Sequence, residues 1–231
     1  MKRILTIIAV VAIGLVFFTS CETSIEENGV GKHKGHEYVD LGLPSGLKWA
    51  TCNVGANTPE EYGYYFAWGE VEPKTTYDWS TYEYGTDWNQ LTKYCNKSDY
   101  GKDGFTDNKT VLDPEDDAAT ANWGGAWRMP TTAEQQELVD NCTWTWTTQN
   151  GVNGYKVVGP NGNSIFFPAA GVRQETMHLG NNITGYYWTC TPGDSGQAPG
   201  AAHILKFNEE RGYYNDYVQR HIGMPIRPVS L

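Results

Sequence analysis

The sequence predicts an α+β fold in which short, twisted antiparallel strands outnumber two main helices. Three observations lead there. The chain carries 26 Gly, 15 Tyr and 9 Trp in 231 residues, a composition suited to tight turns between short strands that pack aromatic side chains. The segment Thr143-Trp144-Thr145-Trp146-Thr147 alternates strictly, which sets both indoles on one face of a strand and the threonines on the other. Two stretches, near residues 113–121 and 130–141, begin with capping residues and continue with helix formers.

Taken in order, the first twenty residues read as a leader. Met1-Lys2-Arg3 is cationic, Ile4 to Phe18 is a fifteen-residue apolar run interrupted by Thr6 and Gly14, and Thr19-Ser20 supplies small residues just before Cys21. That is the plan of a secretory signal, and the run is shorter than the roughly 20 apolar residues a comfortable membrane span needs. The small-small-Cys ending resembles a bacterial lipobox, which implies a signal peptide over 1–20 and a lipid on Cys21. Replacing Cys21 by Ala is then expected to abolish incorporation of labelled fatty acid and to release the protein from membranes. Equal labelling of both forms would refute the lipobox.

Residues 21–35 read as a flexible tether, polar and dotted with Gly29, Gly31 and Gly35, a composition that buries too little to order itself. Glu22, Glu26 and Glu27 resemble the signal that sends such lipoproteins to the outer face of the outer membrane; equally, acids keep a linker extended.

One folded domain is expected over 36–231. Strands are expected at Glu37–Leu41, Lys48–Val54 and Tyr64–Trp68. Asp113-Pro114-Glu115-Asp116 places an acid as cap before a first-turn proline, with Ala118, Ala119 and Ala121 beyond and Gly124-Gly125 as the stop. Thr131 and Glu134 have the capping-box spacing for a second helix ending near Asn141. A three-stranded meander follows, from Thr143 through Tyr155–Val158 to Ser164–Phe167, with Asn150-Gly151, Asn153-Gly154 and Asn161-Gly162 as turn signals. Later strands are expected at Gly185–Thr191, Ala202–Phe207 and Ile226–Val229.

The formal charge is −10, and losing the leader removes two basic residues and no acid. Phosphate binding needs clustered Lys and Arg, so nucleic acid is excluded as a partner; the one basic knot, Lys32-His33-Lys34-Gly35-His36, is small. The membrane enters as a partner only through the lipid.

The run Trp123-Gly-Gly-Ala-Trp-Arg-Met-Pro-Thr-Thr-Ala-Glu134 resembles a helix start of the formylglycine-generating-enzyme type of C-type-lectin-like fold. It is more similar still to the Fibrobacter succinogenes major paralogous domain, found in lipoproteins of gut Bacteroidetes. The hallmarks stand in order: Tyr38-Val-Asp-Leu-Gly-Leu-Pro-Ser-Gly46, Trp49-Ala-Thr-Cys-Asn-Val-Gly55, Tyr65-Phe-Ala-Trp-Gly-Glu70 and Leu112-Asp-Pro-Glu-Asp-Asp-Ala118. Phe167-Pro-Ala-Ala-Gly171, Gly185-Tyr-Tyr-Trp188 and Gly223-Met-Pro-Ile-Arg-Pro-Val229 complete them. Gln135 and Thr189-Cys190-Thr191 depart from the pattern. The resemblance implies a C-type-lectin-like fold and leaves the molecular function open.

Catalysis is not expected. The cysteine pair near the C-terminus that serves formylglycine-generating enzymes has no counterpart after Cys190. No metalloprotease helix, nucleophile elbow or phosphate loop is present. His33, His36, His178, His203 and His221 lack metal-ligand spacing, and no metal or cofactor is expected. Carboxylate pairs for glycoside hydrolysis keep a polysaccharide hydrolase as an alternative.

Ten aromatics fall within the twenty-seven residues from Tyr62 to Trp88. Trp79, Tyr82, Tyr84 and Trp88, interleaved with polar groups, suit stacking on a sugar or contact with another surface protein; the same residues would equally cover a core. The acids Asp103, Asp107, Asp113, Glu115, Asp116 and Asp117 are hard oxygen donors, but their spacing is not that of a calcium loop. Cys52, Cys95, Cys142 and Cys190 allow three full disulfide pairings. The sequence thus points to a lipid-anchored binding module of the bacterial outer membrane, for a glycan or an adhesive partner, with a structural component of a surface appendage such as a fimbria as the alternative.

Overall fold

The computed structural model describes residues 29–193, 199–210 and 212–231; the leader and Cys21 lie outside them. In chain order the strands are β1 (Val30–His33), β2 (His36–Asp40), β3 (Lys48–Ala50), β4 (Thr143–Gln149), β5 (Val152–Val158), β6 (Ser164–Pro168), β7 (Val172–Gln174), β8 (Met177–Leu179), β9 (Thr184–Pro192), β10 (Ala201–Asn208), β11 (Gly212–Gln219) and β12 (Val229–Ser230). Helices α1 (Ala118–Trp123) and α2 (Thr132–Asn141) sit between β3 and β4. The strands form four antiparallel sheets ordered β1-β2-β3-β12, β4-β5-β6, β7-β8 and β11-β10-β9. The described residues are thus mostly antiparallel sheet with two short helices, compatible with an α+β or a mainly-β fold.

The part of the expected tether that lies among the described residues, 29–35, is not a linker but belongs to the fold. Val30–His33 pairs with His36–Asp40 from Val30↔Val39 to His33↔His36. Lys34 (φ 50°) and Gly35 (φ 83°) form the two-residue turn, the geometry that matches the twist of a hairpin. Gly35 is therefore a turn glycine rather than linker composition. His33 accepts from Ala126 N at 3.0 Å through Nε2, its carbonyl accepts from Trp127 Nε1 at 2.9 Å, and His36 stacks on Trp123 at 3.8 Å.

The cap of the first helix also differs from expectation. Pro114–Asp116 forms a separate 3-10 turn, and Asp113 makes no capping bond. Its carboxylate pairs with Lys109 and faces Lys93 at 3.5 Å. The cap of α1 is Asp117, whose Oδ1 accepts from Thr120 N at 2.9 Å and whose Oδ2 accepts from the buried Met129 N at 2.8 Å. One carboxylate thus closes a helix end and ties it to the next segment. Burial raises its pKa despite these bonds. At α2 the expected capping box is present: Thr131 and Glu134 exchange side-chain and backbone bonds. Glu134 also receives both guanidinium nitrogens of Arg128, at 2.7 and 2.5 Å. Burial alone would raise its pKa, yet the Arg128 fork holds it below the usual carboxylate range.

The meander forms as the alternation predicts, with Trp144 and Trp146 half-buried against the core. Asn150 (φ 47°) and Gly151 (φ 83°) make its first turn. Asn153-Gly154 does not turn; it lies within β5, where a Cβ on Gly154 would stand 2.2 Å from the carbonyl of Phe167. Close strand approach, not turn geometry, selects that glycine. Tyr64–Trp68, expected as a strand, joins no sheet: Phe66 bridges Met224, Tyr64 N donates to Val54 O and Trp68 N to Arg220 O, and Trp68 already lies in a turn.

Two main apolar clusters fill the interior. Trp49, Leu138, Phe167, Tyr187 and Phe207 centre one; Phe66, Trp68, Met129, Trp188 and Met224 centre the other. Each fully buried side chain of this size contributes about 1.5–3 kcal/mol. Two buried arginines cross these clusters. Arg227 donates from Nε to Asn53 Oδ1 (2.8 Å), from Nη1 to the carbonyls of Ala50 (3.1 Å) and Thr51 (2.9 Å), and from Nη2 to that of Phe166 (2.9 Å). Its Cζ lies 4.6 Å from the centre of the Phe167 ring. Arg220 donates to the carbonyls of Ala201 and Tyr94 and lies 4.7 Å from the Trp68 ring. Burial lowers the pKa of both, but a guanidinium stays charged, so carbonyl dipoles and ring faces take the place of a counter-ion.

The four described cysteines are free thiols. Burial pushes Cys142 up to about 11 and Cys190 up to about 12, which leaves both as poor nucleophiles.

Candidate functional site

The aromatic segment 62–88 divides into buried and open parts. Tyr65, Ala67, Tyr77 and Tyr82 form a small core of their own, with Tyr62, Trp79 and Tyr84 packed against it. Tyr82 is 5% exposed and its hydroxyl donates to Trp68 O at 2.9 Å, so it offers no face to a ligand. Tyr84 is half-buried between Tyr82 and Tyr94, and its hydroxyl donates to Asp116 at 2.8 Å. Burial and this carboxylate push its pKa up. Trp79 packs on Tyr82 and, at 4.7 Å, on His221. Of the four residues expected to bind, only Trp88 opens an indole to solvent, at 42% exposure, with Tyr100 at its edge. Trp79 and Trp88 meet around Gly200, where a Cβ would lie 2.7 Å from Trp88 Cα and 3.1 Å from the Trp79 indole. The four do not make one platform, because the hydroxyls of Tyr82 and Tyr84 satisfy buried acceptors.

Most of the acidic stretch is likewise committed to the fold, while Asp103 and Glu115 are exposed. Asp107 accepts from the amides of Tyr94 and Cys95 at 2.7 and 2.8 Å. The buried Asp116 accepts from Tyr84, Tyr94 and Lys93. Among the described residues, no group of three His, Cys, Asp or Glu side chains is placed to hold a metal ion.

An open groove of about 390 Å³ lies between the 63–77 segment and the β7–β8 hairpin. Tyr64, Tyr65, Lys74, Thr75, Tyr77 and Arg173 line it, with no carboxylate, histidine or cysteine among the lining residues. Its walls are pinned to each other. Tyr77 and Glu175 exchange two backbone bonds of 2.9 Å, and Arg173 and Gly223 exchange two of 2.8 Å. A Cβ on Gly223 would stand 2.6 Å from the Tyr77 ring, so glycine there lets the ring seat.

Most polar groups in this groove already have partners. Tyr77 donates to Tyr65 O at 2.5 Å and accepts from Lys74 N. Tyr65 donates to Ala170 O at 2.6 Å and lies 2.9 Å from His178 Nε2. Burial raises the pKa of Tyr65 and lowers that of His178, so at neutral pH the phenol is protonated and the imidazole neutral. Lys74 is held by Glu70 and by Thr81 O. Besides the exposed Thr75, two larger groups remain open. Tyr64 is 49% exposed. Arg173 stands with its Cζ 5.3 Å from the Tyr65 ring and has no ion-pair partner among the described residues.

Sequence reasoning missed both. A count of arginines was the available signal: the chain has six, and of the four among the described residues Arg220 and Arg227 are buried and Arg128 pairs with Glu134. Only Arg173 is left without a structural partner.

A second groove of about 350 Å³ touches His36, Glu37 and Cys52. Its titratable groups are engaged: His36 lies flat on Trp123, and Glu37 pairs with Lys32 at 3.2 Å. No described helix is long and apolar enough to cross a membrane. No family model, curated protein or solved structure matches the chain.

Proposed function

We propose that the chain is a non-catalytic binding module, held at the bacterial outer membrane by a lipid on Cys21, that takes a glycan in the Tyr64–Arg173 groove. The observation that carries this reading is a half-exposed tyrosine and an uncommitted guanidinium lining one groove, in which Tyr65, Tyr77 and Lys74 are already bonded within the fold. An aromatic face suits the apolar face of a sugar ring, and a guanidinium fork suits its oxygens. The absence of carboxylate and histidine from the groove lining supports binding over hydrolysis. The ordered hallmarks from Tyr38 to Val229 and the two helices support a C-type-lectin-like arrangement of the domain.

Full-length protein in detergent, presented to a glycan array and then titrated with the glycan retained, tests the reading. Tyr64→Ala is expected to weaken binding about tenfold, or about 1.4 kcal/mol, while Trp88→Ala leaves it unchanged. Retention that depends on Trp88 and ignores Tyr64 would move the site to the Gly200 surface; no retention of any glycan would refute the reading.

A further inference from the structure

We infer that the ligand of this groove bears a carboxylate: a sugar chain with a single uronic-acid residue, whose acid group pairs with Arg173. The inference rests on the reading of the groove as a glycan site and adds the ligand's charge.

Arg173 differs from every other described arginine in lacking a structural task. Arg128 is spent on Glu134, and Arg220 and Arg227 on backbone carbonyls and aromatic faces. Arg173 keeps only its ring contact with Tyr65. That contact holds the planar group over a tyrosine fixed by its hydroxyl bond to Ala170. The strand beneath is fixed by the paired bonds to Gly223. The guanidinium is therefore oriented in advance with its donors unspent. A planar fork of N–H donors matches a carboxylate in bidentate fashion and is stronger with a charged acceptor than with a hydroxyl. Lys74, the other cation of the groove, is neutralised by Glu70 and sits 5.6 Å from the Tyr77 ring. One free positive charge at one end calls for one negative charge on the ligand.

The charge of the whole protein limits the ligand further. At −10 the molecule repels a polyanion, so an extended polyuronate is disfavoured. A lone acid group feels mainly charges within about 8 Å at physiological ionic strength, and the groove lining carries Arg173 and the paired Lys74 but no carboxylate. Tyr64, on the same groove, remains available to stack on the neutral part of the sugar.

Calorimetric titration of the full-length protein in detergent with three probes decides the matter: a disaccharide of glucuronic acid and glucose, its methyl ester, and cellobiose. The acid is expected to bind at least tenfold more tightly than the ester, and the gap to narrow as sodium chloride rises from 50 to 500 mM. Arg173→Gln should erase the preference for the acid, bringing acid and ester to equal affinity, and should weaken cellobiose far less than it weakens the acid. Arg173→Lys, which keeps the charge and loses the fork, should retain part of the preference. Equal affinity for acid and ester, or an acid preference that survives Arg173→Gln, would overturn the acid inference while leaving the glycan reading in place. Failure of all three probes, together with an empty glycan array, would overturn both.

Discussion

Arg227→Ala is expected to lose a large share of the protein's folding stability. Its guanidinium fills four hydrogen bonds to buried acceptors, namely Asn53 Oδ1 and the carbonyls of Ala50, Thr51 and Phe166. Each buried acceptor left without a donor costs about 1–3 kcal/mol. Water entering the space vacated by the side chain recovers part of this, so the expected loss is about 4 kcal/mol or more against a typical total of about 5–15. Arg227→Met keeps the side-chain length without the donors and should lose nearly as much. Arg227→Lys keeps a charge and some donors and should lose about half. Urea unfolding followed by tryptophan fluorescence measures all three; a midpoint for Arg227→Ala equal to that of the wild type would show that the carbonyls do not depend on this residue.

Asp117→Ala should have the next largest effect. It removes the cap of α1, worth about 0.5–2 kcal/mol, and strands the buried amide of Met129, worth about 1–3 kcal/mol. The expected total is about 2–4 kcal/mol on those grounds. Asp117→Asn keeps one acceptor oxygen for two donors and should lose roughly half as much on the same accounting. Asp113→Ala, by contrast, breaks only partly exposed pairs with Lys93 and Lys109 and should stay within about 1 kcal/mol. Thermal melts of the three variants separate the two aspartates; equal losses at 113 and 117 would mean that the helix is capped as the proline spacing predicts.

The contrast between these aspartates shows where the sequence could be read and where it could not. Thr131 and Glu134 were legible because a capping box is a local exchange, completed within four residues. Asp113 was misleading because Asp-Pro also starts a 3-10 turn. The residue that caps α1 is chosen by Met129, twelve positions away and invisible to local spacing. The Trp144/Trp146 alternation was legible for the same local reason, whereas β7, β8 and β11 lack a clean period and were not. Among the aromatics the composition identified a cluster but not its inner and outer members. What decides those is the hydroxyl: Tyr82 and Tyr84 reach buried acceptors, while Tyr64 makes no such bond and stays open. Arg173 carried no local signal at all; it is distinguished only by what the other arginines do.

The first sheet also bears on when the fold can form. Val30, Val39, Trp49 and Val229 occupy one row across β1-β2-β3-β12, and Arg227 precedes the last of these by two residues. A chain made from its N-terminus therefore exposes β2 and β3 first and must wait for Val229 and Ser230 before Trp49 gains its second neighbour. Contacts of such long sequence separation are slow to close. Until β12 and Arg227 arrive, the carbonyls of Ala50, Thr51 and Phe166 lack their donor and the first core has an open side. Residues 227–230 thus close the first core against segments far away in sequence.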